Sequence, residues 1–327
     1  MTNAITRVEI KDFLVFKGEF AADFCPGVNV IIGGNGSGRT TLLRALYLPF
    51  ILARQKLHER PGSLDWQTNR RVGGFGHTQD SMAKINYAEK EIEYLNTPMK
   101  YCELLENVQA VFIPAAEMLS HSKGLIALSK DLRLPFDQTQ IDILNKAQRP
   151  VTNEVKANAL RVLCKIKELI GGEVEYEDDS FYVKKENGET VPFSLEADGF
   201  RRLGLLWKLL RNGLLESGSI LFWDEPEASI NPELIPALVD ILLELQKGGV
   251  QIFAATHSYD VARWFELNKG PANTLRYFNL RKKGRGIIAD TADDYISLDN
   301  NVIDVADEKL YRRVVEVMAA NAGVRLE

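Results

Sequence analysis

Apolar and polar residues alternate along the first part of the chain in the manner of β-strands. The stretches "TRVEIKDFLVF" (6–16) and "GEFAADF" (18–24) alternate residue by residue, which predicts a hairpin of two strands. The run "PGVNVII" (26–32) is apolar and β-branched, and it predicts a buried strand that ends in glycines. The following "TTLLRALYLPFILARQKL" predicts a helix, bent at Pro49.

The second half of the chain alternates between strand and helix patterns. A strand, a helix and a further strand in repeated order favour a mostly parallel sheet with helices packed against it. Thr152 is the predicted N-cap of the first of these helices, and two glycines end that helix. Strands are predicted over 107–119, 219–227 and 250–258, helices over 152–172, 198–213 and 232–249, and short strands with a turn over 173–195.

Composition limits the class of protein. At 327 residues, 45% hydrophobic and 26% charged, the chain is an ordinary globular sequence, and its net charge of −5 does not favour a polyanion as partner. Three cysteines, Cys25, Cys102 and Cys164, have no metal-binding spacing and are interpreted as reduced packing residues. No signal segment or membrane span is predicted, so we expect a cytoplasmic protein without a membrane partner.

Polar, turn-rich sequence interrupts the pattern after the first helix. We predict one domain over 1–327, with an exposed insertion at 55–110, a lobe at 115–195 and a C-terminal cap at 266–327. The acidic end of the cap is interpreted as a solvated surface rather than a metal site. The basic "LRKKGRG" (280–286) predicts a hairpin tip, with contact to DNA phosphates as the alternative.

The stretch "GGNGSGRT" has the spacing of a phosphate-binding loop and lies between a predicted strand and a predicted helix. Glycines allow successive amides to surround phosphate oxygens, while the Thr40 hydroxyl is placed to bind Mg²⁺. The usual lysine is replaced by Arg39. A glycine-rich turn that merely opens a helix is the alternative. The candidate phosphate-binding residues are Gly33, Gly34, Asn35, Gly36, Ser37, Gly38, Arg39, Thr40 and Thr41.

Two further polar groups follow predicted strands. In "ILFWDEPE", Asp224 is a candidate Mg²⁺ ligand and Glu225 a candidate general base for an attacking water. In "ATHS", His257 is placed to hydrogen-bond a γ-phosphate. An acidic helix cap and a packing histidine are the respective alternatives.

These motifs resemble those of the ATP-binding-cassette ATPase heads of the SMC, RecF and OLD group, particularly compact members without a long coiled coil. The resemblance extends over roughly residues 5–265 and rests on "GVNVIIGGNGSGRTTLL", "IPAAEMLSHSKGL", "ADGFRRLGLLWKLLRNG", "GSILFWDEPEASINP" and "VQIFAATHS". It implies an α/β P-loop NTPase fold with a mostly parallel central sheet, N-terminal antiparallel strands and a helical lobe insertion. It also implies ATP and Mg²⁺ as cofactors.

The resemblance further implies a homodimer that forms on ATP binding. "ADGFRR" (197–202) takes the place of the signature motif, with Asp198 and Gly199 facing the phosphate held by the partner head, although the usual serine is Ala197. "EASINP" (227–232) corresponds to the loop that crosses the dimer interface. Glu117 is a weak match to the switch glutamine near Mg²⁺.

Arg39 affects the expected activity most. Arginine keeps the charge but presents a planar fork on a longer side chain, and a displacement of ~1 Å can cost ~10²-fold in rate. We therefore expect ATP to bind and to be hydrolysed slowly, with a hydrolysis-deficient nucleotide sensor as the alternative. Relatives that act on DNA ends or in phage defence imply a separate effector protein, docked on the insertion or on the lobe.

Overall fold

The computed structural model describes residues 3–58, 71–72, 75–76, 81–95, 99–125, 128, 137–152 and 155–321. The strands in these ranges are β1 (Ile5–Phe13), β2 (Phe16–Asp23), β3 (Val28–Gly33), β4 (Arg71–Val72), β5 (Phe75–Gly76), β6 (Met82–Tyr87), β7 (Lys90–Glu93), β8 (Ala110–Ile113), β9 (Gly172–Glu177), β10 (Ser180–Lys185), β11 (Thr190–Pro192), β12 (Ile220–Asp224), β13 (Gln251–Ala255), β14 (Leu275–Lys283) and β15 (Gly286–Ala292). The helices are α1 (Arg39–His58), α2 (Cys102–Glu106), α3 (Gln138–Ala147), α4 (Ala157–Ile170), α5 (Asp198–Arg211), α6 (Ile235–Lys247), α7 (Tyr259–Asn268) and α8 (Val302–Asn321).

The central sheet confirms the predicted fold class. Its strand order is β15-β14-β3-β13-β12-β8. The strands from β14 to β8 are parallel to their neighbours, and only the edge strand β15 is antiparallel. The carboxyl ends of β3, β12 and β13, which precede the three candidate motifs, therefore lie at the same edge of the sheet.

Both faces of this sheet are buried, which explains the continuous apolar runs in its strands. In β3, Val28, Val30 and Ile32 belong to one core cluster, together with residues of α3 to α7. Ile31 points to the opposite face and joins a second cluster with α1 and the N-terminal strands. Helix α1 continues through Pro49.

A four-stranded antiparallel sheet, of order β2-β1-β6-β7, covers α1 and confirms the predicted N-terminal hairpin. Two of its strands lie within the predicted exposed insertion 55–110, and Ala83 and Ile85 of β6 are fully buried. The expectation of exposure is wrong for this part, because "MAKINYAEKEIEY" contains a strand alternation on either side of a tight turn. That turn uses left-handed residues, Ala88 at φ 47° and Glu89 at φ 63°.

The segment 115–195 contains α3 and α4 together with a three-stranded antiparallel sheet, β11-β10-β9, so it is a mixed rather than a helical lobe. The predicted N-cap Thr152 is wrong. Helix α4 begins later, with Lys156 at the N-cap, and the Thr152 amide instead donates to the Arg211 carbonyl. Gly171, at φ 66°, ends α4 as predicted.

The C-terminal part adds the β14–β15 hairpin and α8. The predicted hairpin at 280–286 is confirmed, with Gly284 at φ 61° in its turn. Most of the described side chains of α8 are exposed to solvent. Among the described residues, no helix is long and apolar enough to cross a membrane, and no group of three or more His, Cys, Asp or Glu side chains is arranged to hold a metal ion.

Candidate functional site

The loop between β3 and α1 has the backbone geometry of an anion-binding turn. Gly36 (φ 72°) and Gly38 (φ 95°) occupy the left-handed region, where a side chain would be strained. A Cβ at Gly38 would also lie 3.0 Å from Val15 Cγ2, so the β1–β2 turn packs directly against the loop. The Ser37 hydroxyl is buried without a hydrogen-bond partner in the described structure, as a ligand-binding hydroxyl would be.

Thr40 and Asp224 meet at the first turn of α1. The Thr40 hydroxyl lies 2.9 Å and 3.1 Å from the two Asp224 carboxylate oxygens, across 184 residues of sequence. Asp224 is 5% exposed, and its burial raises the pKa of the carboxyl, with a smaller contribution in the same direction from Glu225 and opposition from the Thr40 hydrogen bond. A hydroxyl beside a carboxylate provides the hard oxygen ligands that Mg²⁺ prefers.

Glu225 and His257 lie side by side at the mouth of the site. Glu225 has φ 51°, and its amide donates to the Ala255 carbonyl at the end of β13. Its Oε1 is 3.3 Å from His257 Nδ1, and both side chains are partly exposed. The left-handed backbone of Glu225 is uncommon for a residue with a side chain, and its carboxylate is exposed enough to contact water.

Glu227 was not among the individual candidates from sequence. Its Oε1 accepts hydrogen bonds from the Thr256 hydroxyl at 2.7 Å and from the His257 amide at 3.2 Å, so it ties the loop after β12 to the loop after β13. The side chain is 8% exposed and its Oε2 has no partner in the described structure. In the sequence, the third acidic residue of "DEPE" was the feature that could have identified Glu227 as a candidate.

Arg202 is a second residue that sequence reasoning missed. It is 4% exposed and donates to the carbonyl of Ala115 and, at 3.4 Å, to that of Glu225. Burial lowers the pKa of its guanidinium, although the surrounding carboxylates, Glu117 first, oppose that effect. Arg202 thus places a positive charge beneath the acidic residues that follow β12.

The signature-like segment begins at the surface with Ala197 and Asp198, while Gly199 is buried against the loop 227–232. A Cβ at Gly199 would be 3.1 Å from the Ser229 carbonyl oxygen, so only glycine fits there without displacement of the loop. The Asp198 side chain is 53% exposed and pairs with Arg201. Ala197 is the N-cap of α5 and supplies no side-chain cap.

Glu117 is held by its own neighbourhood. Its carboxylate accepts hydrogen bonds from the amides of Leu119 and Ser120, and it lies 3.7 Å from the Arg201 guanidinium. These contacts describe a cap on the short 3₁₀ helix 119–121. The resemblance to a switch glutamine therefore stays a prediction.

Arg39 turns back into the loop. Its Nη1 donates to the Gly33 carbonyl and, at 3.0 Å, to the Gly34 carbonyl, and the residue is 9% exposed. The guanidinium thus lies against the first two residues of the loop, with one of its nitrogens bonded to two backbone oxygens.

Known proteins support this interpretation of the fold. A family model described as "AAA domain, putative AbiEii toxin, Type IV TA system" matches residues 114–262, and one described as "AAA domain" matches residues 7–53. Over 156 residues the chain is 26% identical to the arginine transport ATP-binding protein ArtP of Haemophilus influenzae; this covers 44% of the chain and 56% of ArtP, so the chain spans little more than half of that relative.

Solved structures of SMC heads are also similar. A crystal structure of SmcHead bound to the C-winged helix domain of ScpA has a TM-score of 0.50 at 13% identity, covering 89% of this chain and 98% of that chain. The SMC head domain from Thermotoga maritima has a TM-score of 0.47 at 15% identity, covering 88% and 98%. The chain therefore has an α/β fold like that of an SMC head, and two stretches of its sequence match AAA-domain family models.

Proposed function

We propose that the chain binds ATP with Mg²⁺ at the loop 33–41 and hydrolyses it slowly. The contact between Thr40 and Asp224 carries this proposal, because it joins the end of the phosphate loop to the end of β12. Hydroxyl and carboxylate are the ligands expected for Mg²⁺, and the amides of the loop suit a polyphosphate. We infer one ATPase domain over 1–327, with the insertion, lobe and cap as parts of it.

The residues of the site have separate roles in binding the ion and in activating water. Thr40 and Asp224 would hold the ion, which when bound stabilises negative charge on phosphate oxygens. Glu225 orients a water and accepts its proton at a carboxylate oxygen. His257, with Nδ1 3.3 Å from Glu225 Oε1, would position that carboxylate and donate a hydrogen bond to a terminal phosphate. Glu227 and Arg202 hold the two loops in place.

A nucleotide sensor that does not turn over is the second candidate function. The observation in its favour is the Arg39 guanidinium, which is bound to the Gly33 and Gly34 carbonyls. In that position its charge does not lie at the loop tip, where the distal phosphates of a nucleotide would be stabilised during reaction.

We further propose that ATP brings two heads together and that the closed pair acts on a separate effector, in DNA repair or phage defence. The exposed Asp198 at the start of α5, beside Gly199, is a suitable surface for the nucleotide of a second head. The similar SmcHead is itself bound to ScpA. Contact with DNA would be limited to phosphates, for instance at 280–286, since the net charge is −5.

Binding of a fluorescent ATP analogue to the full chain, with and without Mg²⁺, tests the site. Asp224→Asn should remove the Mg²⁺-dependent part of binding and leave the Mg²⁺-free part. The matched control is Asp240→Asn, because Asp240 pairs with Lys165 on the surface of α6. Mg²⁺-dependent binding that survives Asp224→Asn unchanged would refute the proposed metal site.

Turnover separates the two candidate functions. Arg39→Lys should raise phosphate release by ~10²-fold if arginine misplaces the charge by ~1 Å. Equal rates for the two proteins would contradict impairment by Arg39.

Light scattering of Glu225→Gln with ATP checks dimerisation: a doubled mass supports closure of two heads, and an unchanged monomer mass counts against it.

A further inference from the structure

The β14–β15 hairpin extends beyond the central sheet, next to the phosphate loop. Strands β3 and β14 run parallel as far as the pair Gly33 and Leu280, and from there β3 turns into the loop. Strand β14 continues, paired with β15, so that Lys282 lies opposite Ile287. Since Lys282 is two residues beyond Leu280, both are on the same face of the strand, which is the face that Leu280 buries with α1.

This geometry places a second cation at the tip of the loop. A Cβ built on Gly36 would lie 3.4 Å from Lys282 Nζ and 3.9 Å from its Cε. The Lys282 side chain is exposed to solvent. Arg39, in contrast, is mostly buried and bonded to carbonyls at the base of the loop. The two cations therefore occupy opposite ends of the same loop.

An ion pair and a left-handed turn stabilise the hairpin that carries Lys282. Arg281, on the opposite face of β14, forms an ion pair with Asp290 of β15, and Gly284 adopts the left-handed conformation needed in the turn. The hairpin fixes the backbone of Lys282, while the four rotatable bonds of its side chain allow the ammonium to follow a ligand.

We propose that Lys282 is a phosphate-binding residue that replaces the lysine missing from position 39. Its ammonium contacts the distal phosphate oxygens of the nucleotide from the hairpin side of the loop, while Arg39 braces the loop from within. A compact ammonium with three donors suits this task better than a guanidinium already bonded to carbonyls. The inference rests on the proposed ATP site and assigns that site a residue outside the phosphate loop.

Binding measurements on Lys282→Gln test the assignment, with Lys283→Gln as matched control. Both side chains are exposed on adjacent positions of β14, but Lys283 lies on the other face of the strand. Loss of a charged hydrogen bond predicts ATP affinity ~10-fold weaker for Lys282→Gln and a change below about 2-fold for Lys283→Gln. The loss should be smaller for AMP, which lacks the distal phosphates. Equal ATP affinities of the two variants would overturn the assignment.

The Arg39→Lys background shows whether Lys282 replaces the loop lysine. With lysine restored at 39, Lys282→Gln should cost clearly less affinity than it does beside Arg39, since two contacts then serve the same phosphates. An equal loss in both backgrounds contradicts replacement. If neither wild type nor Arg39→Lys binds ATP, the proposed function itself is refuted. If both bind ATP and Lys282→Gln leaves the affinity unchanged, only the role assigned to Lys282 is refuted.

Discussion

Two groups of charged side chains, one buried between helices and one at the candidate site, differ in how fully their charges are paired. In the first, between α1 and α3, Lys146 is 1% exposed and donates to the Asp142 carboxylate and, at 2.7 Å, to the Tyr47 hydroxyl. Tyr47 in turn donates to Asp142. Burial opposes the charge of Asp142, but Lys146, with help from the Tyr47 hydroxyl and Arg54, outweighs burial and holds the pKa of that carboxyl below its usual value. The carboxylate is thus paired directly with a buried cation.

The second group, at the ends of β12 and β13, has an excess of negative charge. Asp224, Glu225 and Glu227 lie at the site with Arg202 beneath them, and the charges of Arg44 and Arg39 also favour the ionised form of Asp224. Burial raises the pKa of Asp224, and Glu227 Oε2 has no partner in the described part of the chain. A balanced group stabilises packing, whereas an unbalanced one beside a phosphate loop is suited to bind a cation and nucleotide.

The largest expected effect comes from removing the exposed acid of the unbalanced group. Glu225→Gln should lower phosphate release by ~10²–10⁴-fold, the range of a general base, in the Arg39→Lys protein where turnover is measurable. Stability should change little, because Glu225 is one third exposed and its contact is with His257. Steady-state kinetics and urea unfolding of the same samples provide the measurements.

A small effect of Glu225→Gln on turnover would contradict the role proposed for this carboxylate. Turnover within 3-fold of the parent would remove Glu225 from the proposed chemistry. A matched surface variant, Glu244→Gln, controls for the substitution, since Glu244 pairs with Lys247 on α6.

The balanced group should show the opposite profile. Lys146→Met keeps the volume of the side chain but leaves Asp142 and Tyr47 without their cation, so unfolding free energy should fall by about 3 kcal/mol. ATP affinity of the folded protein should stay within 2-fold. Denaturant titrations and fluorescent-nucleotide binding decide the matter. A large loss of ATP affinity with unchanged stability would reverse the assigned roles of the two groups.

Sequence patterns were sufficient for the sheet and for the meeting of the motifs. Strand alternation, the glycine loop and the acids after "ILFW" predicted the parallel sheet. Because β3 and β12 end at the same edge of that sheet, Thr40 and Asp224 come into contact. These features follow from local periodicity and from the rule that carboxyl ends of parallel strands meet. The chemical roles of Glu225 and His257 stay predictions.

Features that depend on tertiary packing were not predictable in the same way. In the sequence, Arg202 belongs to the polar first turns of a predicted helix, and only the fold shows that it is buried beneath carboxylates. Lys282 reads as a solvated hairpin residue until β14 is placed beside β3. Strand β6 has a local alternation and a local hairpin partner, β7, but its burial depends on β1, which lies far away in sequence.

The pH dependence of stability gives a third, smaller contrast. Burial lowers the pKa of Lys146 from 10.5 to about 8, so between these pH values the unfolded chain binds more protons at this residue than the folded chain. Stability contributed by Lys146 therefore rises with pH across this window, by at most about 1.4 kcal/mol per pH unit. The difference in unfolding free energy between wild type and Lys146→Met should grow from pH 8 to 10.5. A difference that is flat or shrinks over that range would contradict a lowered pKa.

The smallest effect is expected on the exposed helix α8, where charges are paired but not buried. Arg312 Nη2 lies 2.6 Å from Glu308 Oε1, and the two side chains are 74% and 57% exposed. Because water screens both charges, Glu308→Gln should lower unfolding free energy by about 0.3–0.5 kcal/mol at low salt, and the loss should vanish in ~1 M salt. Urea unfolding at both salt concentrations measures it. A loss above about 1 kcal/mol that persists in salt would show that α8 packs more closely than its exposure indicates, and that burial alone does not separate the strong charge pairs of this molecule from the weak ones.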